Sequence, residues 1–425
     1  MAAGVASRAL AAWWPWAAYA VCWCVAPLVF GSGPGLNLLT QVGFMIIICL
    51  SFNLLLGEGG MLSFGHAVYS GLGAYAVIHA LNAASQGLLG VPVALMPLLG
   101  GLGSALFAAV LGWPTTKKGG TAFAMITLAV GELVFALSHM MPGIFGGEGG
   151  VSGNRVVGSG WLGLTWGSSE QVYGLVAVYA FVCTLALFLF TSTPLGRLLN
   201  AVRDNPERVS FIGYNPHVVR YLAFVLAAFF AGVGGGLAAI HFENVTPESL
   251  GSLRSGSILL FTVLGGTALF AGPVIGAVLL VLAFTVLADV SRAWQVYVGV
   301  AFMAVVLKAP GGLASLLWRP AGAPVSATGP AAPLAWRPAL VMLPFLVGCA
   351  AWMEMVYHRQ LDAALDPRVQ FMGVSLDTQS TADWVAVSVL TMVGAGLALA
   401  GRLGRRGRGR GVAPTDKPRP GRHQA

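Results

Sequence analysis

Apolar residues run along this chain in long, unalternating stretches, broken by short polar or glycine-rich punctuation. Their length of about 20 residues is what a helix needs to cross a hydrocarbon core of ~30 Å. Such segments fall at about 11–31, 36–56, 61–81, 91–112, 121–141, 171–192, 221–241, 255–270, 272–289, 294–308, 338–356 and 384–401. The pattern predicts an all-α, polytopic transmembrane helix bundle of about 10–12 spans, with 255–270 short enough to be re-entrant. One stretch of the first 310 residues breaks the pattern. Residues 196–220 are polar yet keep a helical period, with Leu199, Val202, Val209 and Ile212 recurring on one side. Arg197, Arg203, Asp204, Glu207 and Arg208 supply the remainder. An amphipathic helix with both signs of charge suits docking against another protein better than lying on lipid. The competing reading is an ordinary solvated loop.

Composition sharpens this picture. Of 425 residues, 57% are hydrophobic and 9% charged, whereas a soluble domain carries roughly 25% charged residues. The 58 glycines are about twice the usual share of ~7%, and with abundant alanine they predict close approach between helices. All five cysteines lie inside apolar runs without a CxxC pair, which fits burial as small apolar residues better than redox or metal chemistry. The net charge of +8 is distributed like a topology signal, not like a nucleic-acid surface. With 196–220 in the cytoplasm, alternation of the segments places 18 of the 23 Lys and Arg residues inside. Arg155, Arg254, Arg292, Arg359 and Arg368 remain outside, and both termini are expected to be cytoplasmic. The first apolar run continues past Ala18-Tyr19-Ala20 to Phe30. That is longer than the roughly 7–15-residue core of a signal peptide, so residues 1–35 are expected to hold a retained span.

Several segments carry chemistry. Residues 53–75 set Asn53, Glu58, Ser63 and His66 among Gly57, Gly59, Gly60, Gly65, Gly71 and Gly73. Glycine at this density thins or breaks a helix, and irregular backbone survives in lipid only where protein or a water-filled cavity covers it. Asn53, Glu58 and His66 are therefore candidates for a bend beside a permeation route. The alternative is a cytoplasmic turn with Glu58 solvated, followed by a tightly packed helix. His66 has no partner at metal-ligand spacing. Glu132 lies near the middle of an apolar span, where a carboxylate costs roughly 2.5–3.5 kcal/mol on insertion scales. It marks either a substrate or proton path, with His139 two turns along the same face, or a structural hydrogen bond to a neighbouring helix. Residues 263–276 form a glycine-rich corner, and 98–107 faintly resemble 264–270, as in an internal repeat. The Gly- and Ser-rich stretch 142–170 reads as turns or a flexible cover over a pathway.

Nucleotide chemistry is missing from the chain. It contains no GxxxxGK[ST] phosphate loop, nor even the dipeptide Gly-Lys, and no GxSxG or HExxH motif. If ATP drives this protein, another chain binds it.

The segments 53–75, 123–153, 196–240 and 264–278 resemble the branched-chain amino acid ABC transporter permease family, and within it the LivM-like subunit. FAMITLAVGE at 123–132, FGGEGGVSG at 145–153 and GRLLNAVRDNPERVSFIGYNPHVVRYLAFVLAAFFAGVGGGL at 196–237 carry the resemblance. It spans about residues 36–315, which would form the permease core. It implies a multi-pass bacterial inner-membrane subunit that pairs with a second, LivH-like permease, two cytoplasmic ATPase subunits and a periplasmic substrate-binding protein. ATP and Mg would sit on the ATPases, with no cofactor and no covalent catalysis on this chain. The cargo implied is a branched-chain or other hydrophobic amino acid, with urea or a short amide as the alternative. The 196–213 stretch would be the helix that couples to an ATPase, a role carried onto Gly196, Arg197, Ala201, Arg203, Asn205, Glu207 and Gly213. Outside the resemblance lie a 316–337 cytoplasmic linker, two additional spans over 338–401 and a basic tail at 402–425, read as disordered and attracted to anionic lipid. A rival of another class is a stand-alone proton-coupled carrier with Glu132 and His139 as relay. A membrane enzyme or scaffold would rest only on 320–425.

Overall fold

The computed structural model describes residues 2–31, 33–157, 165–291, 293–309, 311–317, 336–361, 368–371 and 374–409. Helices dominate, and among the described residues five are long and apolar enough to cross a membrane: Gly33–Glu58, Val93–Thr115, Gly120–Met140, Ser169–Ser192 and Pro216–Phe242. The protein is a polytopic, all-α membrane bundle. It divides into two compact units, Met1–Leu287 with Val298–Arg319, and Ala288–Tyr297 with Pro320–Ala425.

In the first unit, α1 (Ala2–Val29) and α2 (Gly33–Asn53) are followed by a widened π turn at Leu54–Glu58. Chain irregularity continues to α3 (His66–Ser85), so the apolar segment expected from residue 61 starts its helix five residues late. Then come α4 (Met96–Thr115), α5 (Gly120–Met140), the single turn α6 (Pro142–Phe145) and α7 (Ser169–Ser192). Two polar helices, α8 (Pro194–Asp204) and α9 (Pro206–Phe211), lead into α10 (Pro216–Phe242). The half-length helices α11 (Ser252–Gly265) and α12 (Gly272–Leu282) close the corner. The 255–270 segment is thus a 14-residue helix with an irregular end. The expected repeat fails here, since 98–107 is entirely helical whereas 264–270 leaves its helix at Gly266, whose φ is +113°.

The core of this unit is a seam where α3, α4 and α10 meet almost without side chains. A Cβ on Gly100 would stand 2.8 Å from the Gly73 carbonyl oxygen and 3.0 Å from that of Gly232. One on Gly236 would meet Val77 at 2.7 Å and Pro97 at 3.3 Å. Ser104 donates from α4 to the Tyr69 carbonyl of α3 at 2.6 Å, locking the same crossing. In lipid, where apolar burial drives little association, such close backbone approach holds helices together.

As far as it is described, the 142–170 stretch folds into short turns and a strand, in line with the turn alternative and not the flexible cover. Its strand β1 (Val151–Ser152) pairs antiparallel with β2 (Asn244–Val245). Arg155 spans the joint: its backbone N–H donates to Glu243 Oε1 and its guanidinium to the carbonyls of His241 and Gly167. Of the cysteines, Cys49 and Cys183 are buried, while Cys22 and Cys24 are exposed because α1 packs along one side only.

The second unit contains α13 (Ala288–Val290) and the start of α14 (Trp294–Lys308), which ends in the first unit before α15 (Gly312–Leu317). Its body is α16 (Trp336–Leu361), the antiparallel hairpin of β3 (Arg368–Phe371) with β4 (Val374–Asp377), and α17 (Thr381–Gly409). Ala351, Met355 and Val387 form its small core, with Leu376 and Trp384 packed against it. Glu354 of α16 accepts from the hydroxyls of Ser291 and Tyr297. Helix α17 runs to Gly409, so residues 402–409 are helical where a disordered tail was expected. Most of the 316–337 linker and residues 410–425 lie outside the described residues.

Candidate functional site

The polar interruption folds as two short helices set at an angle, and each sequence cue has a local job. Pro194, Pro206 and Pro216 occupy first-turn positions, where a missing N–H costs nothing. Thr193, Asn205 and Asn215 precede them as N-caps. The Thr193 hydroxyl accepts from the Gly196 N–H at 3.2 Å, Asn205 Oδ1 from Arg208 at 3.0 Å and Asn215 Oδ1 from His217 at 3.0 Å. Asn205 is extended (φ −158°, ψ 99°), so the chain breaks there and α9 starts afresh. That break resets the helical period. Leu199, Val202 and Val209 are buried as expected, but Ile212 falls past the end of α9 and is 67% exposed. Gly213 turns the chain at φ +91°, a conformation that favours glycine. Gly196 is buried, its face closed by the Phe190 and Thr191 backbone.

This pair of helices sits on the widened turn after α2. Asn200 donates to Glu58 Oε2 at 2.6 Å, across 142 residues of sequence. The Arg203 guanidinium donates to the Gly57 carbonyl and makes a 3.2 Å ion pair with Asp204. A Cβ on Gly60 would strike Arg203 Cγ at 2.7 Å, and Gly60 itself has φ +62°. Glu58 is thereby tied to α8, its carboxylate held by Asn200. Asn200 carries no signal of this partner in sequence, where it is an ordinary polar position on an amphipathic helix.

Deeper in, His66 and Asn53 are buried. His66 Nε2 lies 2.9 Å from the Ser51 hydroxyl, and the ring meets Phe52 edge-on. Asn53 Oδ1 and Ser63 Oγ are buried without a hydrogen-bond partner in this structure. The buried N-terminal end of α3 and the turn before it are satisfied from other helices, Ala67 N–H by Ser255 at 2.9 Å and Phe64 N–H by Thr127 at 3.2 Å. Asn53, Glu58 and His66 thus fall at or beside the irregular stretch between α2 and α3, and Glu132 lies apart from them on α5. It projects from α5 on the side opposite the buried Thr127, Gly131 and Val134, among exposed Met125, Leu128 and Leu133. No hydrogen bond joins Glu132 to His139, whose Nδ1 bonds the Phe135 carbonyl at 3.0 Å.

The unattached side of α8 and α9 is the other part of the site. Arg197, Glu207 and Arg208 are exposed, and no side-chain hydrogen bond or ion pair engages them among the described residues. Beside them Phe211 is 87% exposed. Ala201 and Asn205 are half-buried beneath this face.

A family model described as branched-chain amino acid transport system, permease component, matches residues 35–308. Two curated relatives carry the name high-affinity branched-chain amino acid transport system permease protein LivM. That of Salmonella typhimurium is 29% identical over 315 residues, and that of Escherichia coli 27% identical over 316. Each alignment covers 69% of this chain and 72% of the relative. No solved structure matches the chain.

Proposed function

This chain belongs to the branched-chain amino acid transport system permease family, and from that premise we propose that it is the translocation subunit of an ATP-driven importer for branched-chain or other hydrophobic amino acids. It works in a bacterial inner membrane beside a second permease subunit. Two cytoplasmic ATPase subunits supply the work, holding ATP and Mg, and a periplasmic binding protein delivers the cargo. This chain lowers a barrier to movement and makes or breaks no covalent bond.

The observation that carries the reading is the two-sided character of α8 and α9. Their inner side is fixed to the bundle by Leu199, Val202 and Val209, by Asn200 on Glu58 and by Arg203 on Gly57. Their outer side offers charges of both signs and a bare phenyl ring with no partner among the described residues. A helix anchored in this way passes a push from a bound protein directly to α2 and α10, and Gly196, Arg197, Ala201, Arg203, Asn205, Glu207 and Gly213 shape it for that task.

Arg203 already serves the inner seat, so the test uses residues of the outer side. Affinity purification of the full chain recovers an ATPase subunit, and the double variant Glu207→Arg with Arg208→Glu loses it while still eluting as a folded species. Recovery of the ATPase by the double variant as fully as by the native chain would remove the docking role from this face.

A further inference from the structure

A cavity of about 780 Å³ opens where the end of α10, the 244–251 connection and the first turn of α11 meet Ala74 of α3 and Phe135 of α5. Its size is that of a small-molecule pocket. Two features set it apart. Arg254, in the first turn of α11, lines the cavity with no carboxylate in ion-pairing range among the described residues. Among the described residues, the one side-chain hydrogen bond of its guanidinium is to the Met45 thioether, 3.8 Å from Nη2. The same turn starts at Gly251, which supplies no side-chain cap, so the positive end of the helix and the guanidinium point to the same place. A cation kept inside a membrane bundle without a counter-charge is destabilising unless an anion reaches it.

The second feature is the complement to that charge. Glu248, in the single turn Pro247–Leu250, lines the same cavity, and its carboxylate accepts no hydrogen bond among the described residues. Between and around these two charges the wall is apolar, through Phe135, Phe242, Leu253 and Phe284. An anion-seeking fork, a cation-seeking carboxylate and an aromatic–aliphatic wall match a small zwitterion with a branched hydrocarbon side chain.

We propose that this cavity binds the free amino acid during translocation, with Arg254 holding its α-carboxylate, Glu248 its ammonium group and the phenyl rings its aliphatic side chain. The proposal rests on the importer reading and narrows its cargo. Urea or a short amide has no carboxylate and would leave Arg254 unpaired, so such solutes are excluded from productive binding here.

The test is direct binding of radiolabelled leucine to the purified two-subunit permease in nanodiscs, without the binding protein. Leucine competes with the label, whereas leucinamide, which lacks the carboxylate, and urea compete at least tenfold more weakly. Arg254→Gln weakens leucine binding at least tenfold, and Arg254→Lys recovers part of the loss. Glu248→Gln weakens leucine but leaves competition by 4-methylpentanoate, which has no ammonium group, unchanged. Equal competition by leucinamide and leucine overturns the assignment using the native chain alone, whatever the fate of the variants. Unchanged leucine affinity in Arg254→Gln does so too. Should Arg254→Gln instead dissociate the two permease subunits and spare leucine affinity, the guanidinium pairs with the neighbouring subunit and the proposal is wrong. Absence of an ATPase partner sinks the importer reading separately, because leucine binding to the permease pair is measured without one.

Discussion

Replacing Asn200 by Leu should loosen the docking helix while leaving its hydrophobic anchors in place. The Asn200–Glu58 bond is short, at 2.6 Å, and its acceptor is a half-buried carboxylate. Hydrogen bonds to charged groups contribute about 1.5–3 kcal/mol, and partial exposure of both partners puts this one near the lower end. A loss of about 1.5 kcal/mol raises the population of the detached state roughly tenfold. Hydrogen exchange reads that population, because amides in α8 exchange through local opening. Peptides spanning 196–204 and 54–60 should therefore exchange about tenfold faster in Asn200→Leu. Glu58→Gln should produce a similar change, and the double variant little more than either alone. Amino acid moved per ATP consumed should fall in parallel, since a helix that detaches transmits less of the push. Arg197→Gln, which removes a side chain with no partner among the described residues, should leave exchange as it was. The reasoning fails if Asn200→Leu changes exchange by less than twofold, or if the two substitutions act additively.

Three further outcomes follow from packing. Leu199→Ala opens a cavity beneath α8 at a fully buried site and should cost about 2–5 kcal/mol, read as a lower midpoint of thermal unfolding in detergent. Gly100→Val drives a branched side chain against the Gly73 and Gly232 carbonyls; at about 1–3 kcal/mol or more, it should lower the yield of folded protein more than the same change at Gly90, which faces open space. Arg155→Ala removes the two guanidinium hydrogen bonds to the His241 and Gly167 carbonyls at the β1–β2 joint, so peptides covering 150–157 should exchange faster while those of α3 and α4 stay protected.

The helical bundle was readable from the sequence because lipid imposes a length and a composition on anything that spans it. The 196–220 interruption stood out for the same reason, as charge where the solvent would not pay for it. What stayed hidden depended on long-range partners. Asn200 looks like any polar residue on an amphipathic helix until Glu58 is placed beside it. Ile212 fitted a helical period that Asn205 had already ended. Arg254 preceded an apolar window and so resembled a loop cation, although it stands in the first turn of α11 and faces a cavity. Glu132 was visible as an anomaly, but which way it pointed depended on which side of α5 packs, and sequence periodicity alone does not decide that.

The glycine seam limits how this protein can change shape. Side-chain layers can slip past one another by exchanging rotamers, but carbonyl oxygens and α-carbons in direct contact have no such freedom. A one-residue screw of α10, a rise of about 1.5 Å with a rotation of about 100°, would replace Gly235, pressed on the Ser70 backbone, by a neighbour at the same spot. To one side that neighbour is glycine again, and to the other it is Gly236, already fitted against Val77 and Pro97. Further slippage brings Leu237 or Val233 onto bare backbone. Helices α3, α4 and α10 therefore travel as one plate. Under the importer reading, alternation between outward and inward access pivots at the edges of that plate, at the π turn of 54–58 and the glycine corner of 265–272, where backbone geometry is already irregular.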